Sequence, residues 1–288
     1  MRDLRSLKVF RLVEPLSDEL TRQLALLRNF ILSLNRVCVA FSGGVDSALV
    51  AAIAYEQLGS RAIAVTGISP SLAPHLLKEA RQEAFWIGIE HQERKTNELE
   101  DPSYSSNPKD RCYACKKELH FQLSQFSIND PEVSIIDGVN YDDLSDYRPG
   151  IRAGREKGVI SPLAEIKIGK DSVRKISHSL GFPWWDKPSQ PCLASRFPYG
   201  HQITADRLTQ VSKAEAWLHA QGFLDVRVRS QGLSARIELP EDQIKSFLLN
   251  IGNKIVVEYF LSIGFTSVSL DLEGLVSGKL NRLNDLSM

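Results

Sequence analysis

Apolar and polar positions divide the chain into two stretches of different rhythm. From about residue 16 to residue 181, short apolar runs alternate with longer segments whose apolar residues recur at intervals of three and four, the pattern of buried strands and amphipathic helices. Leu16 to Leu34 (LSDELTRQLALLRNFILSL) predicts the first helix, with Ser17 and Asp18 as capping candidates. Val37 to Phe41 predicts a buried strand, Ala48 to Gln57 a helix, and Arg61 to Gly67 a second buried strand. A helix from about Leu72 to Gly88, the short stretch Glu90 to Glu93, a strand at Glu132 to Gly138 and a helix at Lys170 to Leu180 follow. Alternation of this kind implies right-handed crossovers and an α/β fold with a doubly wound parallel sheet. Ligands then gather at the carboxyl ends of the strands.

Phe182 to Tyr199 is rich in proline, tryptophan and turn residues and places the domain junction, giving domains 1–195 and 196–288. The second domain reads as a helix at Thr204 to Gln221 and strands at Val226 to Arg229 and Ala235 to Leu239. A helical stretch from Asp242 to Leu261, broken near Gly252, and a strand at Ser267 to Leu272 complete a small α+β unit.

Composition narrows the class. The chain has 288 residues, 43% hydrophobic and 24% charged, enough for one large core or two unequal ones. Lysine plus arginine equals aspartate plus glutamate at 35 each, so no global positive field favours nucleic acid and a tRNA partner is not suggested. The opening residues interleave charged with apolar side chains, and no apolar run approaches the ~18 residues of a membrane span. A cytoplasmic protein without a membrane partner is expected.

Between the first strand and helix lies Ser42-Gly43-Gly44-Val45-Asp46-Ser47. Two glycines let successive backbone N–H groups face an anion, Ser42 and Ser47 add hydroxyls, and the helix N-terminus adds partial positive charge. The segment lacks the GxxxxGK-Ser/Thr pattern, which argues against kinase or GTPase chemistry. The pattern S-G-G-x-D-S resembles the pyrophosphate loop of the N-type ATP pyrophosphatases. That resemblance implies cleavage of ATP between its α and β phosphates, leaving an adenylated intermediate.

Four cysteines are too few for a disulfide scaffold in a chain this long. Cys38, inside the first strand, reads as structural. Cys112 and Cys115, in NPKDRCYACKK, open an apolar-periodic helix and share one face of its first turn. Arg111, Lys116 and Lys117 would favour their thiolates; a packed helix end with incidental thiols is the plain alternative. A zinc site would need a second pair that the chain lacks. Cys192 lies in KPSQPCLASRFPYG, where flanking prolines restrict the loop and Ser195 and Arg196 suit a phosphate or carboxylate.

With SGGVDS, NPKDRCYACK, DGVNYDDLSDYRPG and KPSQPCLASRFPYG in this order and spacing, the chain closely resembles the LarE family of ATP-dependent sulfur transferases. The match runs from about Leu34 to Gly200, with weaker agreement through Arg236-Ile237-Glu238. The resemblance implies that a carboxylate of pyridinium-3,5-biscarboxylic acid mononucleotide is adenylated with ATP and Mg²⁺ and becomes a thiocarboxylate, in building the nickel-pincer nucleotide of lactate racemase. Two mechanisms occur in that family. In one, the cysteine matching Cys192 gives up its own sulfur and becomes dehydroalanine. In the other, cysteines matching Cys112, Cys115 and Cys192 hold a [4Fe-4S] cluster whose open iron carries an exchangeable sulfide. All three are present here, which favours the cluster.

On this reading Cys192 and Asp46 are catalytic, and Cys112, Cys115 and Cys192 are metal ligands. Ala40, Ser42, Gly43, Gly44, Asp46, Ser47, Ser69, Gly138, Asn140, Asp143, Arg148 and Arg196 bind the nucleotide. Asp46 is the first candidate for Mg²⁺, with Asp142 and Asp143 second. Val139 stands where the family more usually has threonine. Arg148, Arg152 and Arg155 read as loop arginines near a phosphate, or as solvated side chains. Arg227 and Arg229 share a strand face and, with Glu215 and Glu238, suggest a second domain closing over a small-molecule nucleotide, unless they form an exposed face. Family members assemble into homo-oligomers. The rival readings are a tRNA thiolase or an amide-forming ATP pyrophosphatase of the same fold, and a non-catalytic nucleotide- or metal-binding protein.

Overall fold

Val37, Val39 and Phe41 pack into one core, while Cys38 and Ala40 pack into another. A strand covered on both faces must be apolar at every position, which is why this run shows no alternation. It belongs to a four-stranded, all-parallel sheet in the computed structural model, which describes residues 10–145, 148–276 and 279. The first nine residues, read above for a leader, and two positions of the DDLSDY segment lie outside the described residues.

The first unit comprises the chain up to residue 98 and residues 110–190. Helix α1 (Asp18–Leu32) starts at Ser17, whose hydroxyl accepts from the Leu20 N–H at 3.3 Å. Then come β1 (Arg36–Ala40), α2 (Val45–Leu58), β2 (Ala62–Ile68), α3 (Pro74–Ile87) and β3 (Glu90–Lys95). After residues 99–109, which include the single-turn α4 (Pro102–Ser105), the unit resumes with α5 (Arg111–Asn129) and β4 (Val133–Ile136). It ends with α6 (Pro149–Glu156), α7 (Pro162–Glu165) and α8 (Lys170–Ser179).

The strand order is β3-β2-β1-β4. Residues of α1, α2, α3 and α8 share a core with one face of β1, and Leu123 of α5 packs on the other with Cys38, Val65 and Ile135, so the sheet is doubly wound. The chain moves outward from β1 through β2 to β3 and then returns to the other side of β1 as β4. The switch point therefore lies between the carboxyl ends of β1 and β4, where open α/β sheets bind ligands. β3 (EHQERK) is polar because it is an edge strand, where charge discourages pairing with another chain. Arg152 and Arg155, expected on a loop, lie on α6.

The second unit comprises residues 99–109 and those from 191 onward. It contains α9 (Ala205–Ala220), β5 (Arg227–Gln231), β6 (Ser234–Glu238), α10 (Glu241–Asn250), α11 (Asn253–Ser262) and β7 (Ser267–Leu270). β5 and β6 form an antiparallel hairpin, and β7 adds to β6 in parallel, giving a small mixed sheet. The expected helical break falls at Ile251 and Gly252. Asn107 is buried and ties the inserted segment down: its side-chain amide donates to the carbonyls of Phe197 (3.3 Å) and Pro198 (2.7 Å). No helix among the described residues is long and apolar enough to cross a membrane.

Candidate active site

The loop after β1 occupies the switch point. Gly43 has φ of +68°, and a Cβ there would lie 3.0 Å from the Cβ of Ala80 on α3. Only glycine meets both demands without strain. Gly44 is the N-cap of α2 and offers no side chain to its first-turn N–H groups, which leaves donors and the positive end of the helix for an anion. The Ser42 and Ser47 hydroxyls lie 3.1 Å apart, and Ser47 Oγ donates to the Gly44 carbonyl at 3.0 Å. Ala40, the last residue of β1, is buried below the loop.

The segment after β4 meets the same point. Gly138 lies so close that an added Cβ would sit 2.6 Å from the Ser47 nitrogen. Asn140 is fully buried and donates from Nδ2 to Asp46 Oδ1 at 2.9 Å, while its own Oδ1 accepts from the Asp143 N–H at 3.1 Å. Asp143 Oδ1 lies 3.0 Å from both Arg148 and Lys170. Burial raises the Asp46 carboxyl above its ordinary range, the Asn140 bond opposes that rise, and the Asp143 charge adds to it. A carboxylate with this balance is one that a cation would help keep ionised. Asp142 instead caps a helix, its Oδ2 accepting from the Lys170 N–H at 2.7 Å at the start of α8.

Ser69, just beyond β2, is committed to a protein partner, donating to the buried Glu98 at 2.5 Å and accepting from the Ser71 N–H at 3.2 Å. Arg148 is half exposed beside Asp143. Arg152 stacks on Tyr113 at 4.4 Å and lies 3.6 Å from Glu156, in a surface arrangement.

The thiols differ by environment. Cys38 is fully buried, and burial pushes it up to about 12, so it stays a protonated core residue. Cys112 is exposed and Cys115 half-buried, both on the first turn of α5 and neither in a disulfide. They belong to the first unit, whereas Cys192 belongs to the second. Among the described residues, no group of three or more His, Cys, Asp or Glu is arranged to hold a metal ion.

In the second unit Cys192 precedes a 3₁₀ turn, Leu193–Arg196. Arg196 is buried and forms a two-pronged ion pair with Glu215 (2.8 and 3.0 Å) while donating to the carbonyls of Pro191 (2.8 Å) and Cys192 (3.3 Å). Its guanidinium thus shapes the backbone that carries the thiol. Arg229 pairs with the fully buried Glu238 at 2.8 Å and donates to the Ser195 carbonyl at 2.7 Å. These charges form a buried network, not an exposed strand face. Arg227 has its basicity lowered by burial and by the neighbouring Arg196 and Arg229, an excess of positive charge that suits an anion.

Sequence reasoning misses Lys170 and Lys187. Lys170 reads only as a helix start, yet its ammonium joins Asp143. Lys187 lies in the KPSQPC motif, but its contacts to Gly43, Glu79 and Glu83 are more than 100 residues away in the chain, beyond any local pattern.

No family model matches the chain. It is 52% identical over 257 residues to an uncharacterized protein of Synechocystis, covering 89% of this chain and 96% of that protein. It is 38% identical over 249 residues to the pyridinium-3,5-bisthiocarboxylic acid mononucleotide synthase of Lactiplantibacillus plantarum, covering 86% of this chain and 90% of the synthase. An uncharacterized protein of Methanocaldococcus jannaschii is 29% identical over 238 residues, covering 83% of this chain and 90% of its own. Similarity to the synthase across nearly the whole length of both chains, together with four motifs in register on a doubly wound sheet, places the protein in the LarE family of pyridinium-3,5-bisthiocarboxylic acid mononucleotide synthases.

Proposed function

We propose that the protein is an ATP-dependent sulfur transferase acting in the cytoplasm on a small nucleotide, pyridinium-3,5-biscarboxylic acid mononucleotide. The observation that carries this reading is the loop Ser42–Ser47 at the switch point, whose Asp46 is bonded by Asn140, itself bonded to Asp143, in a chain so similar to a named synthase of the bisthiocarboxylic acid. A substrate carboxylate oxygen attacks the α phosphorus of ATP, pyrophosphate leaves, and the acyl-adenylate forms. Sulfur then displaces AMP from the acyl carbon. The loop N–H groups hold the departing pyrophosphate. Asp46, whose Oδ1 is engaged by Asn140, is the residue that would hold Mg²⁺, and the ion, when bound, would supply charge neutralisation for the leaving group.

For sulfur delivery we propose a [4Fe-4S] cluster. Cys112 and Cys115, accessible and one helical turn apart, suit two of its thiolate positions, and Cys192 is the candidate for the third. When bound, such a cluster supplies an exchangeable sulfide at its open iron. One observation favours a second reading, in which Cys192 gives up its own sulfur: Arg196 holds the Pro191 and Cys192 carbonyls, fixing this thiol's backbone without any contribution from Cys112 or Cys115. Purified protein incubated with ATP, Mg²⁺ and the mononucleotide should release AMP and pyrophosphate and replace a substrate oxygen by sulfur. AMP release without sulfur gain refutes the transferase reading, and ATP binding without cleavage supports a non-catalytic protein. Iron and sulfide after anaerobic reconstitution support the cluster; their absence, with loss of hydrogen sulfide from the intact mass of the protein after turnover, supports the sacrificial cysteine.

A further inference from the structure

Lys187 is nearly buried, at 13% side-chain exposure, and its ammonium has three partners. It donates to the Gly43 carbonyl at 2.7 Å and lies 2.6 Å from Glu79 Oε2 and 3.0 Å from Glu83 Oε1. The contacts to Gly43 and Glu83 are hydrogen bonds, and that to Glu79 is an ion pair. The backbone around it is held as well: the Lys187 carbonyl accepts from Arg174 at 2.9 Å, and its N–H donates to the Trp184 carbonyl at 3.0 Å. Glu79 and Glu83 stand four apart on α3, one face of a helix. That helix also supplies Ala80, against which Gly43 packs.

The consequence follows from peptide geometry. A trans peptide is planar, with its carbonyl and N–H pointing in opposite directions. Holding the Gly43 oxygen at Lys187 therefore turns the Gly44 N–H to the opposite side of the loop, where it donates to Ser42 Oγ at 3.4 Å. The carbonyls of Phe41 and Gly44 are also engaged, the first by Thr66 Oγ1 at 2.8 Å and the second by Ser47 Oγ at 3.0 Å. These acceptors are occupied by protein donors, and the Ser42 and Gly44 N–H groups donate to the Ser47 and Ser42 hydroxyls at 3.3 and 3.4 Å, so the face offered to an anion is one of hydroxyls backed by N–H groups, akin to a backbone anion nest.

We infer that Lys187 is a positioning residue of the nucleotide loop, holding the Gly43 carbonyl so that the following N–H, and the Ser42 hydroxyl to which it donates, face the phosphates of ATP. This rests on the ATP reading above. Lys187 does not contact the nucleotide; it acts through the Gly43–Gly44 peptide, and the two glutamates keep its charge from adding to that of the site.

The experiment is calorimetric titration of the full-length protein and of Lys187→Met with ATP, and separately with adenosine, which lacks phosphates. K187M should bind ATP at least tenfold more weakly, about 1.4 kcal/mol, while adenosine affinity stays within about twofold, since no bond to the nucleoside is lost. Lys187→Arg, which keeps the charge and the donors, should recover part of the ATP affinity. Wild-type protein that binds no ATP overturns the ATP reading and this role with it. Wild-type protein that binds ATP while K187M binds it equally well overturns the role of Lys187 alone. Equal losses for ATP and adenosine also overturn it, because they mark general disorder of the unit. If K187M does not fold, the charge-balanced pair Lys187→Gln with Glu83→Gln is titrated in its place, with the same outcomes decisive.

Discussion

Replacing Gly138 by alanine tests whether the segment after β4 and the start of α2 form one nucleotide site. The backbone of Gly138 needs no left-handed conformation, so the effect is purely steric. The new Cβ would lie 2.6 Å from the Ser47 nitrogen, 2.8 Å from its Cα and 3.0 Å from the Asp46 carbonyl carbon. Ordinary carbon contacts are about 3.5–4.0 Å, so the two segments must separate by roughly 1 Å. The atoms struck are backbone of a helix buried from Ala48 to Ala54, so no flexible side chain can absorb the shift. Overpacking of this kind costs about 1–3 kcal/mol. It also moves Asn140 relative to Asp46 and displaces the loop N–H groups, for which we expect ATP affinity to fall tenfold or more. Thermal and denaturant unfolding with and without ATP reads both effects. At an ATP concentration 100 times the wild-type Kd, wild type gains about 2.7 kcal/mol, whereas a tenfold weaker variant gains about 1.4 kcal/mol. G138A with wild-type stability and the full ATP-induced gain would refute the close-approach argument.

Buried charge carries two further predictions. Burial, opposed by the neighbouring Lys187 ammonium and helped by the charge of Glu79, raises Glu83 from its ordinary 4.5 to about 7. Its folded form therefore holds a proton that the unfolded chain has released between those values, so its contribution is fully present below about pH 4.5 and is lost as pH rises through about 7. Stability should thus decline by on the order of 3 kcal/mol across that window relative to Glu83→Gln; identical pH profiles for the two proteins would rule this out. Arg196→Met leaves Glu215 buried without its two-pronged partner and should cost about 3–5 kcal/mol in denaturant unfolding, with much of it recovered in the Arg196→Met, Glu215→Leu double variant. Full stability of the single variant would show that the pair does not hold the Cys192 loop.

The strand and loop around Ser42–Ser47 are legible because their determinants are local. Burial on both faces writes a continuous apolar run, and a tight anion-binding turn writes two glycines before a helix. The polar β3 is only a short unassigned stretch in the sequence, because an edge strand needs no apolar signature. Arg196 shows the next limit. An arginine beside a thiol suggests an anion site, but only the fold turns it toward Glu215, 19 residues away, and onto the carbonyl of Cys192 itself. Ser69 likewise looks available and is taken by Glu98.

By itself, then, the sequence determined the α/β class, the glycine loop between the first strand and helix, and the family, and it supplied Cys112, Cys115 and Cys192 as candidates for sulfur chemistry. Tertiary structure alone decided which polar groups meet: Asn140 with Asp46 across 94 residues, and Lys187 with Gly43 across 144. The reason is physical. Strand and turn propensities act over a few neighbouring residues, whereas the partner of a buried charge is chosen by the sheet order that brings distant segments to one edge, and by the cost of leaving that charge unpaired.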